Sequence, residues 1–116
     1  MPRKRRNDRN HLVYKLTCSV TGEFYIGVTF IELRSPPKSL RRRWLAHCRN
    51  AFKYDKQTRL AKSMREHGED SFSREVLTVI RGKANCHAAE RQLILELKPP
   101  LNMEGMGYKK GRKAIS

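Results

Sequence analysis

The order of apolar and polar residues changes period several times along the chain. His11-Leu-Val-Tyr-Lys-Leu-Thr-Cys18 is dense in β-formers and predicts a first strand. Ser19-Val-Thr-Gly22 is turn chemistry, and Glu23-Phe-Tyr-Ile-Gly-Val-Thr29 predicts a second strand, so the two runs make a β-hairpin. Phe30 to Lys38 reads as a loop in which Pro36-Pro37 excludes regular structure. From there the spacing is helical. Leu40, Trp44, His47 and Ala51 recur at i, i+4, i+7 and i+11, with Cys48 and Phe52 beside them. Ser39 is read as the N-cap of that helix, which runs to about Lys53. A shorter helix is predicted from about Thr58 to Glu66, with Leu60, Ala61 and Met64 inward and Gly68 after its end. Ser71 to Ile80 predicts a third strand. Asn85 is read as the cap of a last helix to about Leu97, striped by Ala89, Leu93, Ile94 and Leu97.

This order, β-β-α-α-β-α, predicts an α/β fold: a small three-stranded antiparallel sheet flanked by helices. The 116 residues fit one domain with one modest core. Trp44 is expected in that core rather than as a surface on which bases stack.

Charge changes the picture next. There are 26 Lys+Arg against 11 Asp+Glu, a formal +15. Such an excess argues against an enzyme for cationic substrates and for a polyanionic partner, nucleic acid ahead of an anionic membrane. Arg3, Lys4, Arg5 and Arg6 lie in a basic segment, 1–10, and Lys109, Lys110, Arg112 and Lys113 in another, 108–116. Both are expected to be flexible arms that bind phosphates, with Arg41 and Arg42 as further contacts from the ordered domain, 11–107. No apolar run approaches the roughly 18 residues of a membrane span, and no secretory signal follows the basic start. Cys18, Cys48 and Cys86 lack metal-site or disulfide spacing and read as reduced thiols, which places the protein in the cytoplasm.

Four groups of residues could carry chemistry. Tyr14 and Tyr25 lie one on each strand of the hairpin, and Gly27 is a strand glycine of the kind that admits close approach of another group. Arg43 and His47 share a helix face at i, i+4. A guanidinium there can clamp a phosphate and a histidine can relay a proton. Glu90 lies beside an apolar stripe and asks for a cation, and Asn102 follows the Pro99-Pro100 break. Each group has a plain structural use as well: amphipathic strand tyrosines, a core-edge histidine, an ordinary ion pair for Glu90, a turn for Asn102.

Taken in order, these residues resemble the GIY-YIG nuclease superfamily across 11–107. Leu12-Val13-Tyr14 stands where the first motif belongs, with Leu and Val replacing its Gly and Ile. Tyr25-Ile26-Gly27 is the second motif, intact. Arg43-Trp-Leu-Ala-His47 looks like the family's Arg-x-x-x-His helix, with Arg41 and Arg42 as neighbouring alternatives to Arg43. His67-Gly-Glu-Asp-Ser-Phe72 resembles the approach to its third strand, and Glu90 and Leu101-Asn102 match its metal glutamate and late asparagine.

The resemblance implies a DNA endonuclease that uses one Mg²⁺ or Mn²⁺ ion held by Glu90 and leaves 5′-phosphate and 3′-hydroxyl ends. Tyr14 would take the proton of the attacking water with help from His47, although the resemblance leaves open which tyrosine is the base. Tyr25 would orient the water, Arg43 would stabilise charge on phosphorus, Asn102 would orient the site or the phosphate, and Gly27 would allow close packing beneath it. A homing- or phage-type endonuclease or nickase is expected, with a second copy of the chain or another protein as a source of specificity. The rival reading is a basic DNA- or RNA-binding protein on a nuclease fold that has lost catalysis.

Overall fold

The computed structural model describes residues 9–102. Three strands and three helices follow in the order β1 (Asn10–Cys18), β2 (Phe24–Phe30), α1 (Pro36–Phe52), α2 (Arg59–His67), β3 (Phe72–Arg81) and α3 (Lys83–Leu97), with a short 3₁₀ turn over Glu69–Ser71. The strands form one antiparallel sheet, as the sequence predicts, and their order in it is β2-β1-β3. No described helix is long and apolar enough to cross a membrane.

Because β1 is the central strand, both of its faces are covered, and its alternate residues feed two cores. Leu12, Tyr14, Leu16 and Cys18 join Leu40, Trp44, Ala51, Leu60, Ala61, Met64 and Phe72 under α1 and α2. Trp44 is buried there with its ring against Phe72. Val13 joins Ile26 and Cys86 on the other face, where Ala89, Leu93 and Ile94 of α3 close over them. Leu97 is 46% exposed and falls off the predicted stripe, because α3 ends there with Lys98 in the left-handed region. The three cysteines are free thiols.

The ladder between β1 and β3 slips by one residue beside Tyr14. Val13 pairs with Thr78 and Tyr14 with Val76, so Leu77 has no partner. The bulge lets Val76 pack on the α1 side while Leu77 packs on the α3 side.

Two helix starts differ from the sequence reading. Pro36 and Pro37 occupy the first two positions of α1 rather than irregular chain, and Ser35, not Ser39, is the N-cap, its hydroxyl accepting from the Lys38 amide. The first helical amides have no partner within the helix, so prolines cost nothing there. Ser39 is buried inside the first turns, where its hydroxyl accepts from the Glu32 amide at 2.9 Å and donates to the Ser35 carbonyl at 2.8 Å. The other difference is α3, which starts at Lys83 with Gly82 at the cap. Asn85 lies inside the helix and donates to the Arg81 carbonyl instead of capping.

Ser39 thus fastens the loop over 31–35 to the helix that carries Arg43 and His47. Ser39→Ala leaves the Glu32 amide without its acceptor and is expected to cost about 1–3 kcal/mol. Urea unfolding of the variant beside the wild type measures this.

Candidate active site

Tyr14 lies on the face of β1 that looks toward α1, and Gly27 is its partner across the β1–β2 ladder. A Cβ on Gly27 would stand 2.5 Å from Tyr14 Oη, 2.6 Å from its Cζ and 2.9 Å from Tyr25 Cε2. The phenol therefore occupies the space that any side chain at 27 would need. Tyr25 pairs with Leu16 and shares this face, its ring centroid 6.2 Å from that of Tyr14.

Helix α1 supplies the next groups. His47 Nε2 is 2.8 Å from Tyr14 Oη in a buried hydrogen bond, and Arg43 Nε donates to the same oxygen at 3.3 Å. The Tyr25 ring stands edge-on to the imidazole at 5.4 Å. Two phenols, a guanidinium and an imidazole are thus gathered at the sheet's β2 edge.

A cleft of about 570 Å³ opens over this group, lined among others by Tyr25, Arg43, His47, Glu90 and Asn102. Tyr14 is only 1% exposed and lies behind these side chains. Glu90 comes from α3, on the opposite face, and reaches the cleft past the edge strand. His87 Nδ1 donates to its Oε1 at 3.2 Å. Asn102 makes a two-point clamp on β2: its Oδ1 accepts from the Ile26 amide and its Nδ2 donates to the Ile26 carbonyl, both at 2.8 Å. With both ends engaged by the backbone, Asn102 positions the site.

Burial sets the protonation states. It pushes the Tyr14 phenol well above the ordinary tyrosine range, with the neighbouring Tyr25 adding to the rise and Arg43 opposing it. Tyr25 is raised too, by burial first, with Arg43 opposing and Glu90 adding. His47 is lowered to about 3, by burial and then by the charge of Arg43. Arg43 loses some proton affinity to burial but gains more from the two phenol oxygens, so it holds its charge. At neutral pH the free site contains two phenols, a neutral imidazole and a guanidinium.

Among the described residues, no three His, Cys, Asp or Glu side chains converge on one point. Of the described residues lining the cleft, Glu90 is the single carboxylate. One carboxylate facing an open cleft fits Mg²⁺ or Mn²⁺, which keep water and take substrate phosphate oxygens as their other ligands. It does not suit zinc, whose catalytic sites use three protein ligands.

The model of the GIY-YIG catalytic domain matches residues 10–104. The chain belongs to the GIY-YIG family. No curated protein and no solved structure matches it. The GIY-YIG domain is that of a nuclease of the endonuclease type, acting on phosphodiester bonds of DNA.

Around this GIY-YIG site the other candidate residues separate. Arg42 is bound elsewhere: it pairs with Glu32, donates to Thr29 Oγ1 at 2.6 Å and to the Phe30 carbonyl at 3.1 Å, and stacks on the Phe30 ring. Arg41 is exposed on α1. Of the three consecutive arginines, only Arg43 lines the cleft. Arg3, Lys4, Arg5, Arg6, Lys109, Lys110, Arg112 and Lys113 lie outside the described residues. The cleft also contains Asn50 and Lys56, and Glu90 has His87 as a partner; the sequence reading singled out none of these. Asn50 follows His47 by three and His87 precedes Glu90 by three, so helical spacing could have exposed both. Lys56 sits in a loop after Asp55, a residue at φ 52°, and had no such signal.

Two outcomes follow from this geometry. Gly27→Ala forces a buried, hydrogen-bonded phenol to move and is expected to cost about 1–3 kcal/mol in urea unfolding, with a loss of nuclease activity in the folded fraction. The second concerns acid. The folded pKa of His47 lies below its unfolded value, so between about 3 and 6.5 the unfolded chain binds the extra proton. The contribution of His47 should be flat above pH 6.5 and cost stability as pH drops below it, by at most about 1.4 kcal/mol per pH unit. Denaturant titrations from pH 7 to pH 4 should show this slope, and His47→Gln should reduce it.

Proposed function

We propose that the chain is a metal-dependent DNA endonuclease that leaves 5′-phosphate and 3′-hydroxyl ends. The observation that carries this reading is the hydrogen-bonded Tyr14–His47–Arg43 group, whose His47 and Arg43 line one cleft with the carboxylate of Glu90.

In this mechanism Glu90 would hold Mg²⁺ or Mn²⁺, as the one carboxylate among the described residues of the cleft. When bound, the ion supplies Lewis-acid stabilisation of charge on the phosphoryl oxygens. The chain's own residues do the rest. Arg43, charged and half-buried, pairs with a non-bridging oxygen and stabilises the extra negative charge of the five-coordinate phosphorus. Tyr25, which lines the cleft, holds the attacking water. Tyr14 is the base: its oxygen takes the water's proton as its own proton passes to His47 Nε2. The new bond runs from water oxygen to phosphorus, the bond to the 3′ oxygen breaks, and the departing oxygen takes a proton from solvent.

A neutral Tyr14 is a poor base, and a histidine lowered to about 3 is a poor final acceptor. Substrate relieves part of this. A phosphate paired with Arg43 cancels the positive field that depresses His47, so the imidazole accepts a proton more readily in the complex than in the free chain. Asn102 keeps β2 and the segment after α3 in register.

Supercoiled plasmid with Mg²⁺ tests this reading. Wild-type protein should nick or linearise the plasmid, EDTA should stop it, and Glu90→Ala and Arg43→Ala should each lower the rate by at least about a hundredfold. Tyr14→Phe should fall as far, and Tyr25→Phe less. Undiminished cleavage by purified, folded Glu90→Ala would sink the reading, because the cutting would then owe nothing to this carboxylate; wild-type protein that never cuts would leave a DNA-binding protein without catalysis.

A further inference from the structure

A second cleft, of about 500 Å³, lies beside the first. Its lining includes Arg9, His11, Phe30, Arg43, Lys83 and His87, and no carboxylate is among the described residues that form it. Arg43 borders both clefts, and His87 joins this one to Glu90 through their hydrogen bond. Resting on the nuclease reading, we propose that this second cleft seats the phosphate backbone of the DNA strand on one side of the scissile bond.

Three observations support the assignment. The first is charge: Arg9, Lys83 and Arg43 put three permanent cations around one concavity, which focuses field on an anion. The second is rigidity. The Arg9 guanidinium lies 4.7 Å from the centre of the Phe30 ring and that of Arg42 lies 3.9 Å from it, while Glu32 holds Arg42 in place. Among the described residues Arg9 rests on an aromatic surface and pairs with no acid, which leaves its donors directed to phosphate. His11 Nδ1 donates to the Arg9 carbonyl at 2.9 Å and the Gly82 amide donates to the same oxygen at 2.9 Å, which fixes the Arg9 backbone beside Lys83.

The third observation is continuity. A backbone whose scissile phosphate meets Arg43 has its next phosphates in reach of Arg9 and Lys83, because Arg43 is shared by the two clefts. In the sequence, Arg3, Lys4, Arg5 and Arg6 precede Arg9 by only three to six positions. Contacts of this kind fix register and orientation on the strand without reading bases.

Equilibrium binding of a labelled DNA duplex to the full-length protein in EDTA, followed by fluorescence anisotropy over a range of salt, tests the inference apart from cleavage. The Arg9→Gln/Lys83→Gln double variant should bind roughly tenfold more weakly near physiological salt. Its log–log salt slope should be shallower by about two, one for each phosphate contact removed. Lys62→Gln, at an exposed base that lines neither cleft, sets the effect of losing charge alone and should change each quantity by much less. Circular dichroism confirms that the variants are folded. A double variant whose affinity and slope match those of the wild type or of Lys62→Gln overturns the inference. If that happens while wild-type protein still cuts plasmid, the nuclease reading stands alone. If the double variant loses affinity and slope as expected but wild-type protein never cuts, the nuclease reading falls and the cleft remains a DNA-binding surface.

Discussion

The hydrogen bond between the Tyr14 phenol and His47 is the constraint on which the rest of the site depends. A phenol that is 1% exposed loses its water, and an unpaired hydroxyl in that position would cost a few kcal/mol. Its partner must therefore arrive from the helix above, at the right height and rotation. Trp44 against Phe72, with Leu40 and Ala51 buried on either side of it along α1, holds that rotation. The same rotation brings Arg43 to the cleft and sends Arg42 to Glu32. Packing of the apolar stripe and placement of the chemistry are thus one problem with one solution. Gly27 is the third part of it, because the ring can lie across β2 only where β2 has no side chain.

The location at the edge of the sheet follows from strand order. With β1 in the middle, side chains from α1 and from α3 start on opposite faces and can meet only past an edge. Strand β2 is that edge. It is narrow at Gly27 and is gripped at Ile26 by the amide of Asn102, which replaces the hydrogen bonds a fourth strand would make at that residue. The bulge at Leu77 contributes from the other side, since it lets β3 feed both cores while Tyr14 keeps its orientation.

Much of this was legible in the sequence, for identifiable reasons. The hairpin, the α1 stripe and the order of elements rest on periodicity, and periodicity survives into the structure because burial creates it. The grouping of Tyr14, Tyr25, Arg43, His47 and Glu90 around one site rested on the order of motifs, since no local pattern says that α3 will reach the face opposite its own. The helix starts were misread where two rules competed. Pro36-Pro37 breaks a helix anywhere but at its first positions, and Ser39 resembles a cap until Ser35 is seen to occupy that role. Asn85 misled in the same way, because a glycine, with no side chain to offer, stands at the actual cap. The partner of Asn102 was not legible, because its clamp on Ile26 joins residues 76 apart, a separation that sequence spacing does not convey.

The electrostatics of the site are set against reaction in the free chain. Burial holds both phenols protonated, with Glu90 raising them further, and burial and then Arg43 suppress the imidazole. On the nuclease reading, an anion paired with Arg43 would lift the part of the His47 depression that Arg43 causes while removing the same charge's help from the phenols, and a cation at Glu90 would lower the phenols; burial is untouched by either. A site so arranged keeps its proton acceptors silent in the absence of substrate. In a chain with 11 acids and 26 bases, a single acid, Glu90, faces this cleft among the described residues, and the basic surroundings act to bring the phosphate to it. The surplus of bases governs encounter and grip. On the nuclease reading, the chemistry at the bond rests with the few buried groups whose protonation a bound phosphate would change.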